Sequence, residues 1–415
     1  TYSMAKISPF KAIRPTRDKV HLVATRPYYT YKENVLKAKL EDNPFTFLHI
    51  INPEFGQKVQ TEFNSLERFA LVSDAYQDFL NDEILLQDEE PHIYLYRQTK
   101  DGQEYMGIVA GASIDEYKSD KIKKHEATIT SREEMFTKYL NVVGYNAEPV
   151  LLSYTDLEHR IEPLMYNKVK ERPEYEYTTT DRVKHELWIF TEEEGQAIVN
   201  AFESIESCYI CDGHHRSASS VGLNSFREKQ KQVHFPNEQF FLSFFLNEKR
   251  LKILEFNRLV RTLNGLTQEE FLAQLAEKFE VEPMVIGAKP DEAHIITMCV
   301  EGNWFKLKCS QEMTHTDHPV KGLDPEILTE YVLNPILGIK DLKTDKNIHF
   351  VPGTDELEKV VGKIATKEFS VAFFLYPVDI NNIKRVADNN MTMPPKSTWV
   401  EPKLRSGLTI YNINE

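Results

Sequence analysis

A chain of 415 residues is longer than one ordinary hydrophobic core organises, so roughly two or three domains are expected. Hydrophobic residues make up 41% and charged residues 27%, the proportions of a globular protein and not of a disordered or fibrous one. The 50 basic and 64 acidic side chains give a net charge of −14, which repels a polyanion and argues against nucleic acid as the partner.

In chain order, the first strong signal is a set of apolar residues at spacings of three and four: Val59, Phe63, Leu66, Phe69, Val72, Tyr76 and Phe79. That period predicts one long amphipathic helix. Next comes "IYLYRQTKDGQEYMGIVAGASI", two β-rich runs about Asp101-Gly102, a dipeptide suited to a tight hairpin turn. In "KSDKIKKHEATITSREE", Lys121, Lys123 and Lys124 crowd ahead of His125 and Glu126, with Thr128 and Thr130 after them. The lysines suit a polyphosphate, and Glu126 could accept a hydroxyl proton. The same stretch also reads as a solvated basic loop leading to a helix. Helix starts are expected where capping-box spacing occurs: Ser131 with Glu134, Thr191 with Glu194, and Thr267 with Glu270.

The stretch "CYICDGHHRSASS" runs an apolar strand into Asp212-Gly213 and then into His214, His215, Arg216 and Ser217. Gly213 permits a positive φ and close approach of a ligand. A helix beginning near His214 would direct N–H groups and a positive dipole end at an anion. Arg216 adds a planar fork of donors. Asp212 could hold Mg²⁺ or orient a histidine, and either histidine could act as acid or base. A metal site, a histidine-based site, a phosphate cradle and a plain solvated turn all remain open from these residues alone. Cys208 and Cys211, three apart on a strand, point to opposite faces, so core packing is expected of them and not zinc. With only Cys299 and Cys309 besides, a disulfide framework is not expected.

Further strands are expected at "FFLSFFLN", "KILEFNRLV", "HIITMCV", "WFKLKC" and "FSVAFFLYPV", with a second hairpin about Gly302-Asn303. Asp345 and His349 lie in a turn-rich stretch that forces no role on them. Near the C-terminus, "MPPKSTWVEPKLRSGL" offers two basic and hydroxyl clusters, Lys396-Ser397-Thr398 and Lys403 with Arg405. Its prolines would stiffen a loop able to contact phosphate. Neither GxxxxGK[ST] nor GxGxxG occurs. Hairpins mixed with helices indicate an α+β protein with mixed sheets and packed helices. A seam near residues 232–238 or 262–267 divides it into expected domains 1–235 and 236–415. No apolar run reaches the ~18 residues of a membrane helix, no membrane partner is expected, and a cytoplasmic location is. The oligomeric state is not legible.

With these stretches in hand, the chain resembles the bacterial and archaeal domain-of-unknown-function 1015 family over nearly its whole length. The shared segments include "KISPFKAIRP", "NPFTFLHIINPE", "YLYRQT", "IKKHEATI", "YICDGHHR", "RLVRTLNGL", "LNPILGIKDLKTDKNIHFVPG" and "MPPKSTWVEPKLRSGL". Its DGHHR element is similar to the Gly-x-x-Arg signature of the ParB/sulfiredoxin superfamily, with Gly213 and Arg216 at the signature positions. That resemblance implies a ParB/sulfiredoxin-like nucleotide-binding core. Sulfiredoxins carry a cysteine directly after the glycine, where this chain has His214. The free-serine-kinase branch carries an Asp-Gly-His-like version, which Asp212, Gly213 and His214 resemble. Family members read Pro-Tyr-Asp where this chain has Pro27-Tyr28-Tyr29, a departure that bears on metal or substrate binding.

The expectation that follows is a nucleotide-dependent phosphotransferase acting on a small hydroxylated metabolite such as a free amino acid. ADP or ATP with Mg²⁺ would be the cofactor. Glu126, Asp212, His214 and His215 would carry the chemistry, with Asp212 at the metal. Gly213, Arg216, Ser217, Lys124, His125, Lys396, Ser397, Thr398, Lys403 and Arg405 would hold the nucleotide. The alternatives are a non-catalytic ParB-like nucleotide switch with a protein partner, and a histidine- or metal-dependent phosphoesterase.

Overall fold

A computed structural model describes residues 5–415. The chain is α+β, as its pattern indicates, and divides into two compact units. Unit 1 comprises residues up to Lys123, Thr128–Leu251 and Pro402–Glu415. Unit 2 comprises Lys124–Ala127 and Lys252–Glu401.

Unit 1 is built on a nine-stranded mixed sheet. Its strands are β1 (Ile7–Ser8), β2 (Tyr94–Lys100), β3 (Gln103–Ser113), β4 (Ile122–Lys123), β5 (Val150–Tyr154), β6 (Tyr175–Thr178), β7 (Lys184–Ile189), β8 (Cys208–Asp212) and β9 (Phe240–Asn247). They lie in the order β4-β8-β5-β9-β3-β2-β7-β6, with β1 also paired to β3. β2 and β3 form the expected hairpin, with Asp101 and Gly102 both at positive φ. The β5–β9 and β4–β8 pairs are parallel and the others antiparallel.

One face of this sheet buries Leu95, Ile108, Leu152, Cys208, Ile210 and Phe245. The helix α3 (Glu192–Phe202) closes over it with Ile198, Ala201 and Phe202. The expected capping box is complete there: Thr191 accepts from the Glu194 N–H, and the Glu194 carboxylate accepts from the Thr191 N–H. A smaller core gathers Val72, Tyr76 and Phe79 of α1 (Leu66–Asn81) around Ile13, Phe47, Tyr145 and Ile410.

Two helix starts differ from the sequence pattern. α1 begins at Leu66 and not near Val59. Ser65 caps it by accepting from the Arg68 N–H, and Asn64 at φ 62 stops any helix from running through. The Glu54 carboxylate instead holds the preceding turn through Thr61. Val59 and Phe63 stay exposed. The helix α2 (Thr130–Val143) has Ile129 as its N-cap, so Ser131 lies inside the first turn and caps nothing.

Unit 2 has a six-stranded antiparallel sheet in the order β11-β13-β12-β15-β10-β14. Its strands are β10 (Phe256–Val260), β11 (Glu280–Met284), β12 (Ile295–Val300), β13 (Asn303–Lys308), β14 (Ile348–Pro352) and β15 (Val371–Phe374). Both faces of the central strands are buried. Val260, Met298, Val300 and Phe373 serve one core; Leu259, Cys299, Ala372 and Phe374 serve the other. Two-sided burial is why "IITMCV" and "VAFF" read as unbroken apolar runs. No helix among the described residues is long and apolar enough to cross a membrane.

Candidate functional site

β8 leads into the helix α4 (His214–Lys229), and the junction between them is shaped by one extra residue. Along β8, Ile210 pairs with Leu152, but Asp212 pairs with Leu151, so Cys211 is a bulge. Without it, strict alternation would place Asp212 on the same face as Cys208 and Ile210, in the hydrophobic core. The bulge moves Asp212 to the opposite face. Gly213 then turns the chain at φ 98 and ψ 32, as the N-cap of the 16-residue helix α4. A glycine offers no side chain to cap the first turn, which leaves the N-terminal dipole end open to an external anion.

Arg216 folds back over this turn. A Cβ built on Gly213 would lie 2.9 Å from Arg216 Nη2, so a side chain there would push the arginine head aside. The guanidinium Nη1 is ion-paired with Glu148 Oε1 at 3.1 Å, and Nη2 donates to the Pro149 carbonyl at 3.2 Å. Its buried Nε has no hydrogen-bond acceptor among the described residues. Asp212 Oδ2 lies 3.5 Å from Lys403 Nζ, and Ser406 Oγ donates to Glu148 Oε2 at 3.5 Å. Two acids, two cations and a hydroxyl are thus gathered around the start of α4.

Their ionisation follows from the setting. Burial disfavours the Asp212 carboxylate, but Lys403 and Arg216 outweigh it and hold the group below its ordinary range. For Glu148 burial prevails: with Asp212 it outweighs Arg216, Lys403 and Ser406 and pushes the carboxyl up. Burial also works against the charge of Arg216, yet Glu148, then Asp212, then Tyr29 hold it above its ordinary value. Tyr29 is largely exposed as a residue. Burial of its phenol and then Glu148 push its pKa up to about 12, against Arg216. Tyr29, the residue after Pro27-Tyr28, thus interacts electrostatically with Glu148, Arg216 and Asp212.

The other residues singled out from sequence are placed as follows. His214 is buried at the head of α4, and His215 Nε2 accepts from the Ile129 N–H at 3.4 Å. Ser217 is fully buried, and its hydroxyl donates to the Gly213 and His214 carbonyls. Ser219 does likewise to His215 and Arg216. The hydroxyl-rich run therefore satisfies itself within the helix, as mid-helix serines commonly do. Arg405 is buried and pairs with Asp181 at 2.9 Å. Beside that pair His185 stacks on Tyr96 and Tyr177, with Nδ1 2.6 Å from the Tyr96 hydroxyl. Burial and then Arg405 drive His185 down to about 3, so it stays neutral.

Lys124, His125 and Glu126 fall in unit 2, as do Lys396, Ser397 and Thr398. Within that unit the two stretches approach one another: the Met393 N–H donates to the His125 carbonyl at 2.9 Å. Lys396 lies over the Phe256 ring and Ser397 donates to Pro394 O. Cys208 and Cys211 are buried with thiols pushed up by burial, as expected of core residues. Glu148 was not anticipated: a single glutamate in "NAEPV" carries no local pattern.

Against known families, residues 7–326 match the family described as "Protein of unknown function (DUF1015)". Among curated proteins, none matches the sequence. Three solved structures are loosely similar. A free serine kinase mutant in complex with AMP is 14% identical, covering 74% of this chain and 92% of the other, with a TM-score of 0.38. SbnI from Staphylococcus aureus with a C-terminal truncation is 13% identical, covering 73% and 87%, with a TM-score of 0.38. A conserved hypothetical protein from Pyrococcus furiosus is 14% identical, covering 73% and 95%, with a TM-score of 0.36. TM-scores this low are too loose to transfer an activity.

Proposed function

The chain belongs to the DUF1015 family, and from the turn at Asp212–Arg216 we propose that it is a nucleotide-dependent phosphotransferase acting on a small hydroxylated metabolite. The observation that carries this reading is Gly213 at positive φ, heading a 16-residue helix, with Arg216 of the first turn folded over it. Helix start, glycine and arginine fork together make a phosphate-binding arrangement.

In this reading the terminal phosphates of ADP or ATP lie at the N-terminus of α4, with Arg216 and Lys403 neutralising their charge. Asp212, kept ionised by Lys403 and Arg216, is the oxygen donor suited to Mg²⁺. Bound Mg²⁺ would supply charge neutralisation on the phosphates. His214 and His215 stand where charge on the moving phosphoryl group develops. The acceptor hydroxyl oxygen forms the new bond to phosphorus as its proton passes to a histidine of the turn, the bridging P–O bond breaks, and its electrons leave with the shortened nucleotide. Positioning and charge neutralisation carry most of such a transfer. A free amino acid with a hydroxyl side chain is the first acceptor to screen.

The test is calorimetric titration of ADP, ATP, CTP and pyrophosphate, with and without Mg²⁺, into the wild type and Arg216→Ala. Binding of one nucleotide that falls at least tenfold in Arg216→Ala is the expected result. Equal binding to both proteins would remove the turn from the phosphate site.

A further inference from the structure

We infer that Glu148 is an internal competitor for the phosphate site, holding Arg216 until a more highly charged phosphate displaces it. This rests on the phosphate reading of the turn and adds a residue to it that sequence did not suggest.

The geometry carries the inference. A guanidinium recognises phosphate best through two parallel N–H donors. In Arg216 both terminal nitrogens already face adjacent residues: Nη1 is ion-paired with the Glu148 carboxylate at 3.1 Å, and Nη2 donates to the Pro149 carbonyl. Both acceptors sit on the chain just before β5. Nε is buried without an acceptor among the described residues, so the guanidinium is incompletely satisfied as it stands. A phosphate at Gly213 therefore competes with Glu148 for the positive charge of Arg216.

The exchange also sets which anions succeed. Glu148 contributes at most one negative charge, steadied beyond Arg216 by Lys403 and by Ser406 Oγ at 3.5 Å. A monoanion arriving from water gains nothing over it and still has to be desolvated. The dianionic terminus of a nucleoside diphosphate or of pyrophosphate offers more charge and more acceptor oxygens. Asp212 is not an equivalent competitor, because its direct ion pair is with Lys403 at 3.5 Å, whereas that of Glu148 is with Arg216 at 3.1 Å. Glu148 thus acts as a threshold that admits polyphosphates and rejects ordinary carboxylates.

The experiment is a double-mutant cycle on the full chain with ADP and pyrophosphate as probes: wild type, Glu148→Gln, Arg216→Ala, and both together. Glu148→Gln keeps the shape and removes the charge, so binding tightens about tenfold, the scale of one partly buried ion pair. In the Arg216→Ala background the same change gives no gain. Glu148→Asp, with a shorter reach to Arg216, gives a smaller gain in the same direction and serves if the glutamine variant does not fold. Weaker or unchanged binding in folded Glu148→Gln would overturn the inference while leaving the phosphate site in place. Failure of both probes to bind either the wild type or Glu148→Gln would overturn the phosphate reading as well.

Discussion

At Gly213 two demands coincide on one residue, a positive φ and room for the arginine head. An L-residue in that conformation costs ~1–2 kcal/mol, and a Cβ would additionally press on Arg216. Gly213→Ala should therefore lower stability by about that amount, read by urea unfolding, and weaken pyrophosphate binding in the same protein. Gly213→Asn separates the two effects, since asparagine tolerates left-handed backbone better than alanine but carries the same Cβ. It should recover part of the stability and none of the binding. If both variants bind pyrophosphate as the wild type does, the glycine serves the turn alone. This much was legible from sequence, because glycine, arginine and helix start are neighbours along the chain. Glu148 was not legible: its meaning depends on pairing β5 with β8, which no local pattern records.

At the scale of elements, α4 is fixed at its far end by a buried ion pair. Arg227 and Glu238 are almost completely enclosed and bonded to each other, and Arg227 also donates to Asn141 and Asn414. Removing one partner of such a pair strands the other charge and costs ~3–5 kcal/mol, far more than an exposed pair would. Glu238→Gln should lower the urea midpoint strongly, with a loss of that order in unfolding free energy. A loss below about 1 kcal/mol would mean that Arg227 finds another acceptor or water. Element identity was mostly readable, since β8, β9, β12 and β15 coincide with continuous apolar runs and α3 with its capping box. Element ends were less so. The apolar period over Val59 and Phe63 continues that of α1 by coincidence, and the stop is set by Asn64 and Ser65, which periodicity ignores. The bulge at Cys211, which decides the direction of Asp212, has no signature in "YICDG".

At the scale of the whole molecule, unit 1 is discontinuous in sequence, and its last piece, Pro402–Glu415, is woven into it. Tyr411 and Asn412 pair with Asn146 and Tyr145, and Ile410 bridges Ile13. Gln98 donates to the Lys403 carbonyl, and Asn414 accepts from Arg227. The same segment supplies Lys403 and Ser406 to the cluster at Asp212 and Glu148. Ending the chain at Glu401 would remove a strand, an arginine buried against Asp181 and one cation of the site together. Unit 2, by contrast, holds its six strands and both cores within Lys252–Glu401, apart from four residues at 124–127. A fragment of residues 252–401 should accordingly fold by itself and melt cooperatively by circular dichroism. The chain truncated after Glu401 should show that same transition with unit 1 unfolded or strongly destabilised. A truncated chain that keeps two native transitions would show that residues 402–415 complete the site without supporting the fold, and Lys403 could then be varied freely to measure its share of phosphate binding.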